Sequence, residues 1–175
     1  MSPAGASGQR LKDLLARDPI LKLAVAESVT CGGLQQRLGR ISGASEFFLG
    51  GITAYDRAQK IAHLGVDDAE ARAVNSVSQA VAEQMARGVC VLFGADVGLA
   101  TTGYAEASPQ WRAALPYAYW AIARREGQFP RAVASGRIDC PGLGRAEAQD
   151  RMCEAALAEL IAQAEGWRAA PRPTA

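Results

Sequence analysis

Histidine is almost absent from this 175-residue chain, with His63 the only one. Its four cysteines, Cys31, Cys90, Cys140 and Cys153, are widely scattered and form no CxxC pair. No recognisable zinc-ligand set results, and neither a metal nor any other cofactor is expected. Long apolar runs are missing too: nothing approaches the roughly 20 continuous apolar residues of a membrane-spanning helix. Met1 to Gly8 lack the apolar heart of a signal peptide. Charge of one sign is not in excess either, and a formal net charge of +1 gives no global electrostatic case for nucleic acid or an anionic membrane. These absences set the expectations of a cytoplasmic protein with reduced thiols, no membrane partner and no direct nucleic-acid binding.

What is present is ordinary globular composition at a length suited to one domain with a real core, expected over about residues 9–166 of a single 1–175 unit with flexible termini. Leu11, Leu14 and Leu15 share one face of a helix expected over residues 9–16, which Asp18-Pro19 should end. A short buried strand over 21–26 follows, then a helix over 30–40 striped by Leu34, Leu38 and Ile41. A second strand is expected over 47–55, with Gly50-Gly51 marking a bulge or a close backbone approach. A short helix over 57–63 and a turn over 64–67 precede the longest helix, N-capped by Ser78 and striped by Val81, Met85, Val89 and Leu92.

A third strand over 97–102 leads into a loop of small and polar residues to about Leu115. Strands over 117–124 and 131–137, joined by a Gly-containing turn, read as an antiparallel pair. A last helix over 145–165, striped by Met152, Ala156 and Leu160, precedes a tail after Trp167 expected to be disordered. Helices interleaved with strands plus one hairpin predict a three-layer α/β/α sandwich around a mixed sheet.

Two segments carry the candidate chemistry. Ala26-Glu27-Ser28-Val29-Thr30-Cys31-Gly32-Gly33 puts a serine at the carboxyl end of a buried strand, where α/β sheets bind ligands. Backbone N–H groups of the following helix can hold a phosphate or a developing oxyanion. The same pattern also suits Ser28 or Thr30 as a plain helix cap. In the second segment Tyr55 ends a strand and Lys60 follows one helical turn later. A neutral lysine can take a serine's proton and a tyrosine can relay it, a substitute for the histidine triad. Standing alone, Lys60 reads more readily as a solvated surface charge and Tyr55 as a core aromatic, because most lysines are exposed.

Together, AESVTCGGLQQRL and SGASEFFLGGITAYDRAQKIAHLGV resemble the opening half of the CinA C-terminal family, whose members typically read AESCTGG, PGSS and then V-x-Y-x-x-x-x-K-x-x-x-L-G-V. Ser28, Gly43, Tyr55, Lys60 and Leu64-Gly65-Val66 fit that spacing without a gap, Val77-Ser78 and Thr102-Gly103 fall where the family has VS and SG, and Arg145 matches the arginine of its GDR motif. The likeness spans about residues 21–160. It implies an α/β/α domain, commonly a homodimer, that hydrolyses nicotinamide mononucleotide to nicotinate mononucleotide and ammonia. By that resemblance Ser28 is the nucleophile, Lys60 the base and Tyr55 an aid to proton transfer. Backbone at Thr30, Cys31 and Gly32 would hold the oxyanion, Thr102 and Gly103 would line the substrate, and Arg145 would meet the phosphate. The partner implied is a small-molecule amide or pyridine nucleotide. The molybdopterin-binding-like domain of longer members is absent from this sequence, and with it any pyrophosphatase activity is expected to be missing.

Three departures stand out. Cys31 replaces the first glycine of the TGG turn and should crowd the backbone there. Tyr104 to Trp111 replace a glycine-rich loop and bring in Glu106, whose carboxylate should repel a phosphate. Gln149 stands where many deamidases carry a second arginine. Two functions remain open on the sequence: an amidohydrolase whose substrate is altered, or a non-catalytic CinA-like ligand-binding protein, accessory to competence or the response to DNA damage.

Overall fold

The computed structural model describes residues 3–169; the ends expected to be flexible at 1–2 and 170–175 lie outside the described residues. In chain order the elements are α1 (Pro3–Leu15), β1 (Leu23–Glu27), α2 (Gly33–Gly39), β2 (Phe48–Thr53), α3 (Arg57–Leu64), α4 (Asp68–Ala73), α5 (Gln79–Phe93), β3 (Val97–Tyr104), β4 (Tyr117–Glu126), β5 (Phe129–Asp139) and α6 (Arg145–Ala169). The five strands form one sheet in the order β2-β1-β3-β4-β5. β1 lies between β2 and β3 and is parallel to both; β4 and β5 continue the sheet antiparallel. That is the expected mixed sheet.

β1 is buried along its whole length, so its side chains feed two cores at once. Leu23 and Val25 pack with Leu11, Leu15, Leu34, Leu38, Met152 and Leu160 on the face covered by α1, α2 and α6. Ala24 and Ala26 pack with Leu64, Val81, Met85 and Val89 on the face covered by α3, α4 and α5. Alternation across the pleat sends neighbouring residues to opposite layers, which is why the run Leu23–Ala26 is apolar at every position.

Several boundaries differ from the sequence expectation. The bulge beside Gly50 is real: the β1–β2 register shifts between Leu23 and Ala24, and Gly50 has φ +133°. Ser78 caps α5, its Oγ accepting from Val81 N at 3.1 Å, but Leu92 is exposed, and Ala82, Ala86 and Cys90 complete the buried stripe instead. α4 was not expected. Its cap, Asp67, accepts from Glu70 N at 2.8 Å. The tail also begins later than expected: Arg168 is helical and donates to the carbonyls of Leu14, Arg17 and Pro19.

Candidate functional site

The carboxyl end of β1 turns sharply into α2, and the turn is organised by a carboxylate to which no role was given from the sequence. Glu27 is fully buried, and its two oxygens accept five hydrogen bonds: from Thr30 Oγ1, the N–H groups of Gly32, Leu34 and Gln35, and Gln35 Nε2. Thr30 Oγ1 also meets Thr101 Oγ1 at 2.8 Å. The negative charge sits against the positive end of α2 and answers the N–H groups a helix start leaves unpaired. Neither Ser28 nor Thr30 caps that helix. Its N-cap is Gly32, with φ +94°, so α2 begins at Gly33 rather than at Thr30.

Two of the expected oxyanion donors are already engaged within the turn. The N–H of Cys31 is spent on Ser28 O at 3.2 Å and that of Gly32 on Glu27 Oε2 at 3.0 Å. The N–H groups of Val29 and Thr30 have no partner among the described residues. Cys31 itself has φ +48°, a left-handed conformation that only glycine adopts without cost.

Freed from capping, the Ser28 side chain makes no hydrogen bond among the described residues and lines a cavity of about 840 Å³. Lys60, Tyr55, Thr102, Gly103 and Arg145 line the same cavity. Thr30, Cys31 and Gly32 do not; they line a neighbouring cleft of about 600 Å³ with Arg37, Gln149 and Asp150, and Tyr55 and Arg145 border both spaces. The expected site residues therefore fall into two compartments.

Lys60 is the least ordinary residue of the cavity, because only 2% of it is exposed. The apolar packing of α3 that buries its stem also strips water from the ammonium, and this desolvation holds its pKa down to about 8, with Asp56 acting weakly in the opposite sense. Its Nζ donates to the Tyr55 carbonyl at 2.7 Å, and no hydrogen bond joins it to Ser28. Thr102, also buried, donates from Oγ1 to Ser76 O at 2.7 Å. Asn75 and Ser76 carry left-handed φ of +50° and +60° on the same wall. Gly103 has no space for a side chain, since Tyr117 O occupies it.

The remaining wall is exposed. Tyr55, 55% exposed, does not enter the core. Its hydroxyl accepts from Arg145 Nη2 at 3.0 Å, and Arg145 Nη1 donates to Glu106 Oε1 at 2.7 Å. Glu106 thus holds the guanidinium that the sequence offered to a phosphate. Gln149 faces the smaller cleft and donates from Nε2 to Val29 O at 2.7 Å, tying α6 to the residue after Ser28. Trp111, in a short 3-10 turn over Pro109–Trp111, completes the wall. Sequence reasoning gave no role to Glu27 or Trp111. The signal for Glu27 was a charge closing an otherwise apolar strand; none marked Trp111.

Among the described residues no group of three or more His, Cys, Asp or Glu could hold a metal ion, and no helix is long and apolar enough to cross a membrane.

Known proteins with this architecture agree among themselves. A competence-damaged protein (CinA) superfamily protein of Klebsiella pneumoniae superimposes with a TM-score of 0.83 at 24% identity, covering 95% of this chain and all of that one. A competence or damage-inducible protein of Enterobacter asburiae gives 0.82 at 25% identity, covering 94% and 99%. In sequence, a CinA-like protein of Gloeothece citriformis is 49% identical over 83 residues, 47% of this chain and 20% of that protein. One of Salinibacter ruber is 47% identical over 92 residues, 53% of this chain and 22% of that protein. The matched stretch thus spans about a fifth of the length of these curated relatives. The CinA C-terminal domain model matches residues 7–164, and with that reach the chain belongs to the CinA C-terminal domain family.

Proposed function

We propose that this domain is an amidohydrolase that uses Ser28 as nucleophile and Lys60 as base on a small-molecule carboxamide. One observation carries the reading: a lysine excluded from water, its pKa held down to about 8, opens onto the same cavity as an unbonded serine hydroxyl. Near neutral pH such a lysine is unprotonated in an appreciable fraction of molecules, which an exposed lysine is not.

In the proposed reaction Ser28 Oγ attacks the carboxamide carbon while Lys60 Nζ takes its proton. The resulting oxyanion lies against the free N–H of Val29, the residue after the nucleophile. Lys60 returns the proton to the departing nitrogen, ammonia leaves, and an ester of Ser28 remains. Water then attacks that ester, Lys60 again taking a proton, and the carboxylate product and free serine are restored. Tyr55 holds the lysine through its carbonyl and the rim through its hydroxyl.

The family resemblance points to pyridine nucleotides, with nicotinamide mononucleotide as the reference substrate. Glu106 argues that this chain handles a phosphate poorly, because the carboxylate already satisfies Arg145 and would be crowded by a second anion. A kcat/KM on nicotinamide mononucleotide below about 10⁴ M⁻¹s⁻¹ is the expected result. By the same resemblance the working unit is a homodimer, which light scattering would test.

Ammonia release from a panel of phosphorylated and unphosphorylated amides, with Ser28→Ala beside the wild type, tests the chemistry. The variant should fold normally and lose several orders of magnitude in rate. Unchanged release would remove Ser28 from the mechanism. A second reading, a ligand-binding protein without turnover, draws on the Lys60 ammonium being engaged by Tyr55 O rather than Ser28. Release from no member of the panel, with a ligand retained in native mass spectrometry, would favour it.

A further inference from the structure

We infer that, on the amidohydrolase reading of the cavity, Ser76 is the residue that holds the departing nitrogen. Its hydroxyl accepts a hydrogen bond from the NH2 group of the scissile carboxamide and so tells an amide from an ester.

Ser76 lies in the turn between α4 and α5, at the buried end of the cavity with Ser28, Lys60 and Thr102. Ala26 and Ala100, two residues before Ser28 and Thr102, belong to the core covered by α3, α4 and α5, so the pleat points the serine and the threonine to that side of the sheet. Ser76 is only 6% exposed, yet its hydroxyl has no hydrogen bond among the described residues. No side-chain oxygen or nitrogen sealed from solvent lacks a partner among those residues. Ser76 Oγ is therefore not sealed, and the space it opens onto is the cavity it lines.

The backbone is held firmly in an unfavourable shape to put it there. Asn75 and Ser76, with φ of +50° and +60°, are two left-handed residues in succession. Asparagine tolerates that conformation; serine has no special aptitude for it. Ser76 N donates to Ala71 O at 2.6 Å, Val77 N to Val74 O at 3.0 Å, and Thr102 Oγ1 to Ser76 O at 2.7 Å. Asn75 Nδ2 donates to the Tyr104 hydroxyl at 3.1 Å. Glycine at position 76 would keep every one of these bonds and relieve the backbone, so the hydroxyl is all that serine adds. Strain held in place by so many contacts points to a functional role for the group it presents.

The chemistry leaves one task open at this end of the cavity. In the proposed reaction the carbonyl oxygen meets Val29 N–H and Lys60 carries the proton. A primary carboxamide also brings two N–H groups, and an N–H buried without an acceptor is costly. The Lys60 ammonium can only donate, and the Thr102 hydroxyl is turned onto Ser76 O. Ser76 is left with both its donor and its acceptor uncommitted. When the C–N bond breaks, its electron pair stays on the nitrogen, which takes the proton from Lys60 and leaves as ammonia with its own two hydrogens. A bond from one of those hydrogens to Ser76 Oγ fixes where the lone pair points. The alkoxy oxygen of an ester has no N–H to offer.

The test compares two probes that give the same acyl-enzyme: nicotinamide mononucleotide and the methyl ester of nicotinate mononucleotide. Their kcat/KM values report the step in which the leaving groups differ. Ser76→Ala should lower kcat/KM for the amide about tenfold, the worth of one buried hydrogen bond, and leave the ester within about twofold. Ser76→Gly should give the same split in a protein whose turn is unstrained, which separates the lost hydroxyl from a damaged fold. Equal losses on amide and ester would make Ser76 a structural residue and overturn the inference, as would no loss on either. Failure of the chemistry is separate. Amide hydrolysis that Ser28→Ala abolishes and both Ser76 variants leave unchanged would uphold the amidohydrolase and discard this role for Ser76. Hydrolysis of neither probe by the wild type would discard it as well.

Discussion

Ser28 and Lys60 are buried and positioned by backbone, whereas Tyr55, Glu106 and Arg145, in the same cavity, are largely exposed and positioned by one another, with Trp111 exposed beside them. The first set sits where strand and helix ends are fixed by two cores and by the Glu27 cage. The second sits on the β3–β4 loop, in the short β2–α3 connection and at the first turn of α6. Groups that carry out a reaction must keep their environment, since a pKa depends on it; groups that recognise a ligand need only reach it. On the proposed reading, the contrast separates the groups that react from those that select what is bound.

The sharpest way to break that contrast is Lys60→Met. Ammonia release should fall by several orders of magnitude, while the wild type should show kcat/KM rising with pH and levelling above about 8. Stability should move the opposite way. Below pH 8 lysine is protonated in both folded and unfolded chains, and the folded state bears the burial penalty, about 3 kcal/mol from the displacement of its pKa. Between about 8 and the ordinary value of 10.5 the unfolded chain keeps a proton the folded one has lost, so wild-type stability should rise with pH across that window. At pH 7 the methionine variant should therefore be more stable by roughly 1 to 2 kcal/mol after losing the bond to Tyr55 O. Denaturant titrations at pH 7 and 10 would show it, and a less stable variant at pH 7 would mean that the ammonium is not desolvated.

Glu27→Ala tests whether the buried half depends on its cage. Removing one carboxylate leaves three backbone N–H groups and a hydroxyl without their acceptor, a loss of roughly 3 to 5 kcal/mol. At about 2 to 4 °C per kcal/mol for a domain of this size, the melting temperature should drop by about 10 °C. A shift of a degree or two would show that α2 can be capped by water alone.

For the exposed half, Glu106→Gln should leave stability within about 0.5 kcal/mol, because exposed ion pairs contribute little. Releasing Arg145 should raise kcat/KM for a phosphorylated amide about tenfold, one charge-assisted hydrogen bond, relative to its unphosphorylated counterpart. An unchanged ratio would place the phosphate elsewhere. Smallest is Cys31→Gly, which relieves a left-handed residue and should raise stability by about 0.5 to 1 kcal/mol in thermal unfolding. A loss would mean that the thiol makes a stabilising contact.

The buried half was also the more legible in sequence. The apolar run of β1, the Ser78 cap and the stripes of α5 and α6 all follow from periodicity, and the fold followed with them. Ser28, Tyr55 and Lys60 could be singled out because their spacing is a family pattern, although the burial of Lys60 was not visible: it arises from α3 packing on α5, elements distant in sequence. Two-residue details depend on three-dimensional partners. Thr30 looked like a cap until Glu27 was seen to take its hydroxyl, and α4 was missed because six residues are too few to display a period. The loop carrying Trp111 has no period at all, and its shape comes from the Ser108–Ala113 clasp.

The bond from Gln149 to Val29 O, together with Arg145 at the rim, makes the last helix a part of the cavity that holds Ser28. A growing polypeptide exposes its serine and lysine early, but the turn beside the serine is not braced, nor the rim assembled, until α6 has been made and docked onto α1 through Arg168. Under the proposed reaction, a chain whose α6 is undocked holds Ser28 with neither the brace on its turn nor the rim above it.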